Sequence, residues 1–224
     1  KIKKFKHRLI DLWVDEVGED PSVASIIRPF KEMVDKKLSA VIGEAKVDLW
    51  PSREGESVLG NLIADSMRER AKADIAFQNP GGIRSSIPAG RITLRHAYTA
   101  LPFDNTIVVM ELTGGQIKEI LEEALSDIKG KMQISGLRLR YDPTRPKGHR
   151  LINVLVGGKP VLITKNYLVA TNSFLADGGD GYRTFLDGQE RNDLGILLRD
   201  AFVDLVKAKS PLAPKSRPGQ ARVA

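Results

Sequence analysis

The chain has 224 residues, 42% of them hydrophobic, which is enough to bury a core in one domain with appendages or in two small ones. It has no cysteine, which excludes a disulfide framework, a cysteine-ligated metal and a cysteine nucleophile, and no apolar run approaches the ~18 residues of a membrane span. The net charge of +7 suits an anionic partner, but much of the excess sits in residues 1–8 and 207–222, so charge alone selects none.

Residues 1–6 are basic, yet no apolar stretch follows them, so they are not a signal peptide; a piece of a longer protein would begin this way. Phe5, Leu9 and Leu12 alternate, which predicts one or two short strands within 1–18, without an obvious partner in the chain. Asp20-Pro21 predicts a helix start, with Asp as the cap and Pro in the first turn. Val23, Ile26, Ile27, Phe30, Val34, Leu38 and Val41 follow at helical spacing, with Pro29 as a potential kink.

A second helix is predicted over 57–71, with Leu59, Leu62, Ile63, Met67 and Ala71 on one face, and then a short buried strand over 73–78. Residues 93–100 read as helix and 106–112 as a strand rich in branched residues. Thr113 and Gln116 form a capping box ahead of the stripe Ile117, Ile120, Leu121, Ala124, Leu125 and Ile128. Strands are expected over 133–141, 153–156 and 167–171, and a last helix over 192–207 with Leu194, Leu197, Leu198, Ala201, Phe202 and Leu205 inward. The tail from Ser210 reads as irregular. Strands and helices mix without strict alternation, so the fold class is α+β: a mixed β-sheet packed with helices.

Hydrolysis by a bound metal needs His, Asp and Asn ligands that converge. The three histidines, His7, His96 and His149, stand in no D-x-H, G-N-H or H-x-H arrangement. No nucleophile elbow, Walker loop or dinucleotide fingerprint occurs either. Metal and catalytic residues are therefore expected to be none in this chain.

Four segments do suggest binding. Asn79-Pro80-Gly81-Gly82-Ile83-Arg84 follows a strand; its glycines permit close backbone approach, and Arg84 offers a fork for phosphate, although alone the run reads as an ordinary turn. Leu101-Pro102-Phe103-Asp104-Asn105 could present an aromatic face and an amide to a base, against the commoner fate of Phe in a core. Ser173-Phe174-Leu175-Ala176-Asp177-Gly178-Gly179-Asp180-Gly181-Tyr182 is the strongest: glycines around a fixed carboxylate suit a grip on ribose hydroxyls. A calcium loop fits it poorly, because alternate oxygen ligands are missing. Arg53-Glu54-Gly55-Glu56-Ser57 puts a cation ahead of a helix N-terminus, where anions bind, though alone it reads as a solvated arginine.

In this order, Leu59-Gly60-Asn61-Leu62-Ile63-Ala64-Asp65, Asn79-Pro80-Gly81-Gly82-Ile83-Arg84, Leu101-Pro102-Phe103 and Phe174-Leu175-Ala176-Asp177-Gly178-Gly179-Asp180-Gly181 resemble the C-terminal, substrate-binding domain of the 5′-nucleotidase and UDP-sugar hydrolase family. The resemblance implies a nucleobase sandwiched between Phe103 and Phe174, at ~1–3 kcal/mol per stacked base. It implies ribose hydroxyls on Asp180 with Asn79 near the sugar, the phosphate end on Arg84 and Arg53, and lesser contacts near the base from Asn105 and Gly136. The family's Asn-Gly-Gly-Gly run is Asn79-Pro80-Gly81-Gly82 here, so one backbone donor is lost.

The resemblance also implies an N-terminal metallophosphatase domain holding two divalent metal ions, with residues 1–18 as its end and 19–43 as a linker helix. The nucleotide-binding domain would span 44–209 and a basic Pro-containing tail 210–224. Partners would be a nucleotide or nucleoside and that companion domain, with no nucleic acid and no membrane span; the location would be periplasmic or extracellular, and this chain alone would be inactive. The alternatives are a standalone nucleotide-binding module and a family member acting on cyclic nucleotides or thiosulfate esters. A nucleic-acid binder is disfavoured, because basic and aromatic residues do not interleave.

Overall fold

The structure is a computed structural model and describes residues 3–126 and 131–214. It divides into two compact units, Lys1–Ser39 and Ala40–Ala224.

In the first unit residues 3–13 have no regular structure, and a short helix α1 (Val14–Val17) follows. The expected strands are absent among the described residues: no strand pairs with this segment, so alternation there has no ladder to satisfy it. Helix α2 (Pro21–Leu38) starts as its cap signal predicts, the Asp20 carboxylate accepting from the amides of Ser22 at 2.8 Å and Val23 at 3.1 Å. The helix runs on through Pro29, and none of its residues is buried. Val41 does not belong to its stripe; it lies in the first strand of the second unit.

That unit comprises β1 (Val41–Ala45), α3 (Val58–Ala71), β2 (Ile75–Gln78), β3 (Gly90–Thr93), α4 (Leu94–Ala100), β4 (Thr106–Thr113), α5 (Gly114–Ala124), β5 (Gln133–Ser135), β6 (Leu137–Tyr141), β7 (Leu151–Val156), β8 (Lys159–Pro160), β9 (Asn166–Asn172), α6 (Ser173–Ala176), β10 (Gln189–Leu197) and α7 (Leu198–Lys209). Single 3-10 turns stand at Pro80–Gly82, Gly179–Gly181 and Arg183–Asp187. The central sheet has the order β10-β4-β9-β2-β5, with β2 parallel to β9 and the other pairs antiparallel. β1 pairs with β3, and β6, β7 and β8 form a small third sheet. This is the expected α+β arrangement with a mixed sheet.

The inner strands β4, β9 and β2 of the central sheet are buried on both faces, their side chains alternating between two cores. Ala76, Ile107, Val109 and Ala170 join one core with Leu59, Ile63 and Met67 of α3 and Phe202 and Val206 of α7. Ile75, Phe77, Val108, Met110 and Val169 face the other core, with Ile117, Ile120 and Leu121 of α5 and with Tyr182 and Phe185. Strands covered on both sides read as continuous apolar runs, which is why they were visible in the sequence.

The capping box of α5 forms as predicted, Thr113 and Gln116 bonding each other's backbone amides at 2.8 and 3.3 Å. Ile128 of its expected stripe lies outside the described residues, as do residues 215–224 of the tail. Two predicted elements are corrected. The strand expected over 133–141 breaks at Gly136, where φ is +80° and the chain passes from the central sheet into the small one. The helix expected from Asn192 begins only at Leu198: Asn192 and Leu197 pair with Val109 and Thr106, and Gly195 has a φ of +64° that a helix interior forbids.

Candidate functional site

Strand register brings the singled-out segments to one end of the central sheet. β2 and β9 are parallel, so Gln78 and Asn172 finish at the same end. β4 begins there, with Ile107 opposite Asn172; β5 begins there, with Gln133 opposite Gln78; β10 ends there, with Leu197 opposite Thr106. The chain leaving or entering this edge comprises residues 79–84, 101–105 and 173–181.

At its centre Asn79 Nδ2 donates to Asp180 Oδ2 at 2.8 Å. Asn79 is 4% exposed, whereas Asp180 stands in solvent. Asp180 has a φ of +53°, a left-handed conformation uncommon for a residue with a side chain, held between Gly178 at +77° and Gly181 at +76°. Tyr182, immediately beyond, plugs into the core beside Phe185 with ring centroids 6.3 Å apart and anchors the loop from below. Burial, and then the charges of Glu123 and Asp180, push its phenol well above the usual range, so it stays neutral.

Beneath Asn79 lies a cluster of buried amides. Asn79 Oδ1 accepts from Asn172 Nδ2 at 3.1 Å and Gln78 Nε2 at 3.3 Å, and Asn172 Nδ2 also donates to Gln78 Oε1 at 2.8 Å. Asn172 Oδ1 accepts from the amide of Leu175 at 2.9 Å, capping the short helix that carries Phe174. One amide side chain thus serves both the Asn79–Asp180 pair and the Phe174 helix.

Phe103 and Phe174 are 49% and 43% exposed, so neither ring is a core residue. Phe174 packs against its own loop: a Cβ at Gly179 would meet its ring Cε1 at 2.5 Å, so only glycine lets the turn pass beneath the ring. The bond from the Thr106 amide to Ser173 Oγ, at 3.2 Å, ties the start of β4 to the start of α6. Arg84 is exposed; its backbone amide donates to Ala100 O at 2.9 Å, which joins its loop to the root of the Phe103 loop, and its Nη1 donates to Gly81 O at 3.3 Å. Asn105 gives its carbonyl to the amide of Leu198 at 2.9 Å. Arg53, also exposed, lies in a loop hung on the start of β5: Lys131 N donates to Arg53 O at 2.9 Å, and Gln133 Nε2 donates to Gly55 O at 3.0 Å.

Gly136 is not brought to this edge. It follows the far end of β5, and a Cβ there would overlap the carbonyl oxygen of Asp74, just before β2 begins. Its glycine is explained by the passage between sheets. Gln78, Asn172 and Arg199 were not singled out by sequence. Asn172, a cap residue ahead of Ser173-Phe174, had a legible signal; Arg199, a cation on a distant helix, had none.

Among the described residues no three His, Asp or Glu side chains gather as metal ligands. His96 Nδ1 accepts from the Thr93 amide at 3.2 Å and helps cap α4, and His7 stacks on Phe5 with ring centroids 5.2 Å apart. What the edge holds is two half-exposed rings, a carboxylate braced by an amide, and arginines in flanking loops.

A family model described as 5′-nucleotidase, C-terminal domain, matches residues 39–187. The trifunctional nucleotide phosphoesterase protein YfkN of Bacillus subtilis is 36% identical over 96% of this chain and 16% of its own length. The crystal structure of a 5′-nucleotidase precursor from Thermus thermophilus is similar with a TM-score of 0.81 and 38% identity, over 92% of this chain and 43% of that one. An NAD nucleotidase from Haemophilus influenzae is similar with a TM-score of 0.75 and 26% identity, over 92% and 41%. The chain spans less than half the length of each of these relatives.

Proposed function

Because the chain belongs to the 5′-nucleotidase C-terminal domain family, we propose that it is the nucleotide-gripping domain of a phosphoric ester hydrolase. The base lies between Phe103 and Phe174, the ribose hydroxyls bond to Asp180, and Arg84 and Arg53 take the phosphate end. The observation that carries this reading is the 2.8 Å bond from Asn79 to Asp180, set at the sheet edge that also bears both exposed rings. Carboxylate, amide and the helix bearing the Phe174 ring are already held by one hydrogen-bonded network through Asn172, so little reorganisation is needed on binding. Asn105 lies beside Phe103 as a minor contact, its carbonyl already engaged by Leu198.

Hydrolysis is assigned to a metallophosphatase domain of the same polypeptide, where the two divalent metal ions would lie. Among the described residues the donor set does not fit such a pair. Its contribution is selection and orientation of the substrate, which lowers the entropic part of a barrier. An exported enzyme, periplasmic or extracellular, agrees with the resemblance; none of the described helices is long and apolar enough to cross a membrane.

The test is calorimetry on this chain with AMP, ADP, UDP-glucose, adenosine and inorganic phosphate, alongside phosphate release with added zinc, manganese or magnesium. Binding of the base-containing ligands without turnover is expected. Binding of inorganic phosphate alone would overturn the base and ribose assignments. Metal-dependent release that survives repurification would overturn the assignment of hydrolysis elsewhere.

A further inference from the structure

We propose that Arg199 is a positioning residue for base recognition, fixing the 98–105 segment so that the Phe103 ring is presented in one place. The inference rests on the reading of Phe103 as a stacking face. Arg199 is the second residue of α7 and is 5% exposed. Its Nη1 donates to Leu101 O at 3.0 Å and its Nη2 to Asp104 Oδ1 at 2.8 Å, so the guanidinium grips the loop on both sides of Phe103. Its other face lies 4.0 Å from the ring centroid of Tyr98, at the root of the same loop. The preceding residue, Leu198, donates its amide to Asn105 O at 2.9 Å. Two consecutive residues of the β10–α7 junction thus tie down a segment whose tip, from Pro102 to Asp104, is exposed.

Fold stability alone does not call for a cation here. The Asp104 side chain is 78% exposed, so the pair is screened, while the guanidinium is desolvated and its Nε is buried without a partner. An apolar side chain of the same volume would avoid that cost. What the planar fork supplies, and an apolar residue cannot, is simultaneous hold on a carbonyl and a carboxylate flanking the exposed ring. A loop held before binding loses less freedom when a base arrives.

The test is a cycle on the full chain: the unaltered protein, Arg199→Met, Phe103→Ala and both together, titrated with AMP and with ribose 5-phosphate, which lacks the base. One stacked base commands about 5- to 150-fold in affinity. Arg199→Met is expected to weaken AMP by about fivefold or more, to leave ribose 5-phosphate unchanged, and to add nothing once Phe103 is Ala. Equal weakening of both ligands, or the same loss in both backgrounds, overturns the proposal. An AMP affinity that Phe103→Ala leaves unchanged overturns the stacking reading together with it. Should Arg199→Met not fold, Asp104→Ala and Tyr98→Leu each remove one exposed-side partner of the guanidinium and are read in the same way. Unchanged AMP affinity in both of them, with Phe103→Ala still weakening AMP, overturns the proposal while leaving the stacking reading in place.

Discussion

Asn79 and Asp180 are 101 residues apart in sequence and share a 2.8 Å hydrogen bond in which a buried amide braces an exposed carboxylate. Only one Asp180 oxygen is engaged by this bond, which leaves acceptor capacity toward solvent. A ribose with both hydroxyls can use that capacity, and a deoxyribose leaves part of it unmet. AMP is therefore expected to bind more tightly than dAMP by ~1–3 kcal/mol. Asp180→Ala should remove the difference while base preference is retained. Equal calorimetric affinities for AMP and dAMP in the unaltered protein would contradict a ribose role for this carboxylate.

The two candidate rings should separate from core aromatics in a denaturation series. Phe103→Ala and Phe174→Ala remove half-exposed rings, so the urea midpoint should move little, while AMP affinity falls by ~1–3 kcal/mol. Phe185 is fully buried, with its centroid 5.9 Å from that of Phe77. Phe185→Ala should cost ~3–5 kcal/mol of stability. A Phe103 or Phe174 variant that behaves like the Phe185 one would mark that ring as structural.

The two-sided central sheet was legible because strands such as Thr106–Thr113 hold an unbroken apolar run, Ile107 to Met110, and helices α3 and α5 carried both cap and stripe. The strand β10 was misread because Leu194 and Leu197 fall at helical spacing with the true helix that follows; only pairing with β4 decides against it, and pairing is not local. The same limit hid most of the site's support. Asp180, Asn79 and the two phenylalanines lie in motifs, but Arg199 reaches Leu101 across 98 residues of chain, and Gln78 looks like any strand residue. Gly136 stands at the crossing between two sheets, a place that only the pairing of β5 and β6 reveals.

At the start of α2 the Asp20 carboxyl is held below the ordinary carboxylate range, first by the Ser22 hydroxyl and then by the amides of Val23 and Ser22. A pKa lowered in the folded state means that the cap's contribution is complete above the unfolded value and is lost as pH falls through the folded one. The Ser22 and Val23 amide resonances should therefore shift at a pH below that at which a free aspartate titrates. Titration of both amides at the ordinary aspartate value would show that the cap does not form in solution.

Gly136→Ala tests the structural account of that residue. Its φ of +80° and the overlap of any Cβ with the Asp74 carbonyl together predict a loss of more than ~1 kcal/mol in urea denaturation. The folded fraction should bind AMP as the unaltered chain does, because Gly136 lies at the end of β5 away from Asn79. Selective loss of AMP affinity with unchanged stability would restore the base-proximal role implied by the family pattern.

Asn172 is the residue through which sugar and base recognition should be coupled. Its Nδ2 supports Asn79, which braces Asp180, and its Oδ1 caps the helix carrying Phe174, so both sides depend on one fully buried side chain. Truncation leaves the Leu175 amide uncapped and strips a partner from both Gln78 Oε1 and Asn79 Oδ1. A lost cap costs ~1 kcal/mol and a stranded buried polar group ~1–3 kcal/mol. Asn172→Ala is therefore expected to lower stability by ~2–4 kcal/mol, within the range of a broken buried network. Asn172→Ser keeps a cap oxygen but cannot donate to Gln78 and Asn79 as the amide does, so it separates the two roles. In that variant AMP should lose its advantage over dAMP while the contribution of Phe174, measured by a further Phe174→Ala substitution, is retained. If Asn172→Ser instead weakens AMP and dAMP equally and erases the Phe174 contribution, the serine oxygen does not replace the cap and the amide cluster does not set the sugar preference. An unchanged ratio of AMP to dAMP, with Phe174 still contributing, would mean that Asn79 holds Asp180 without help from below.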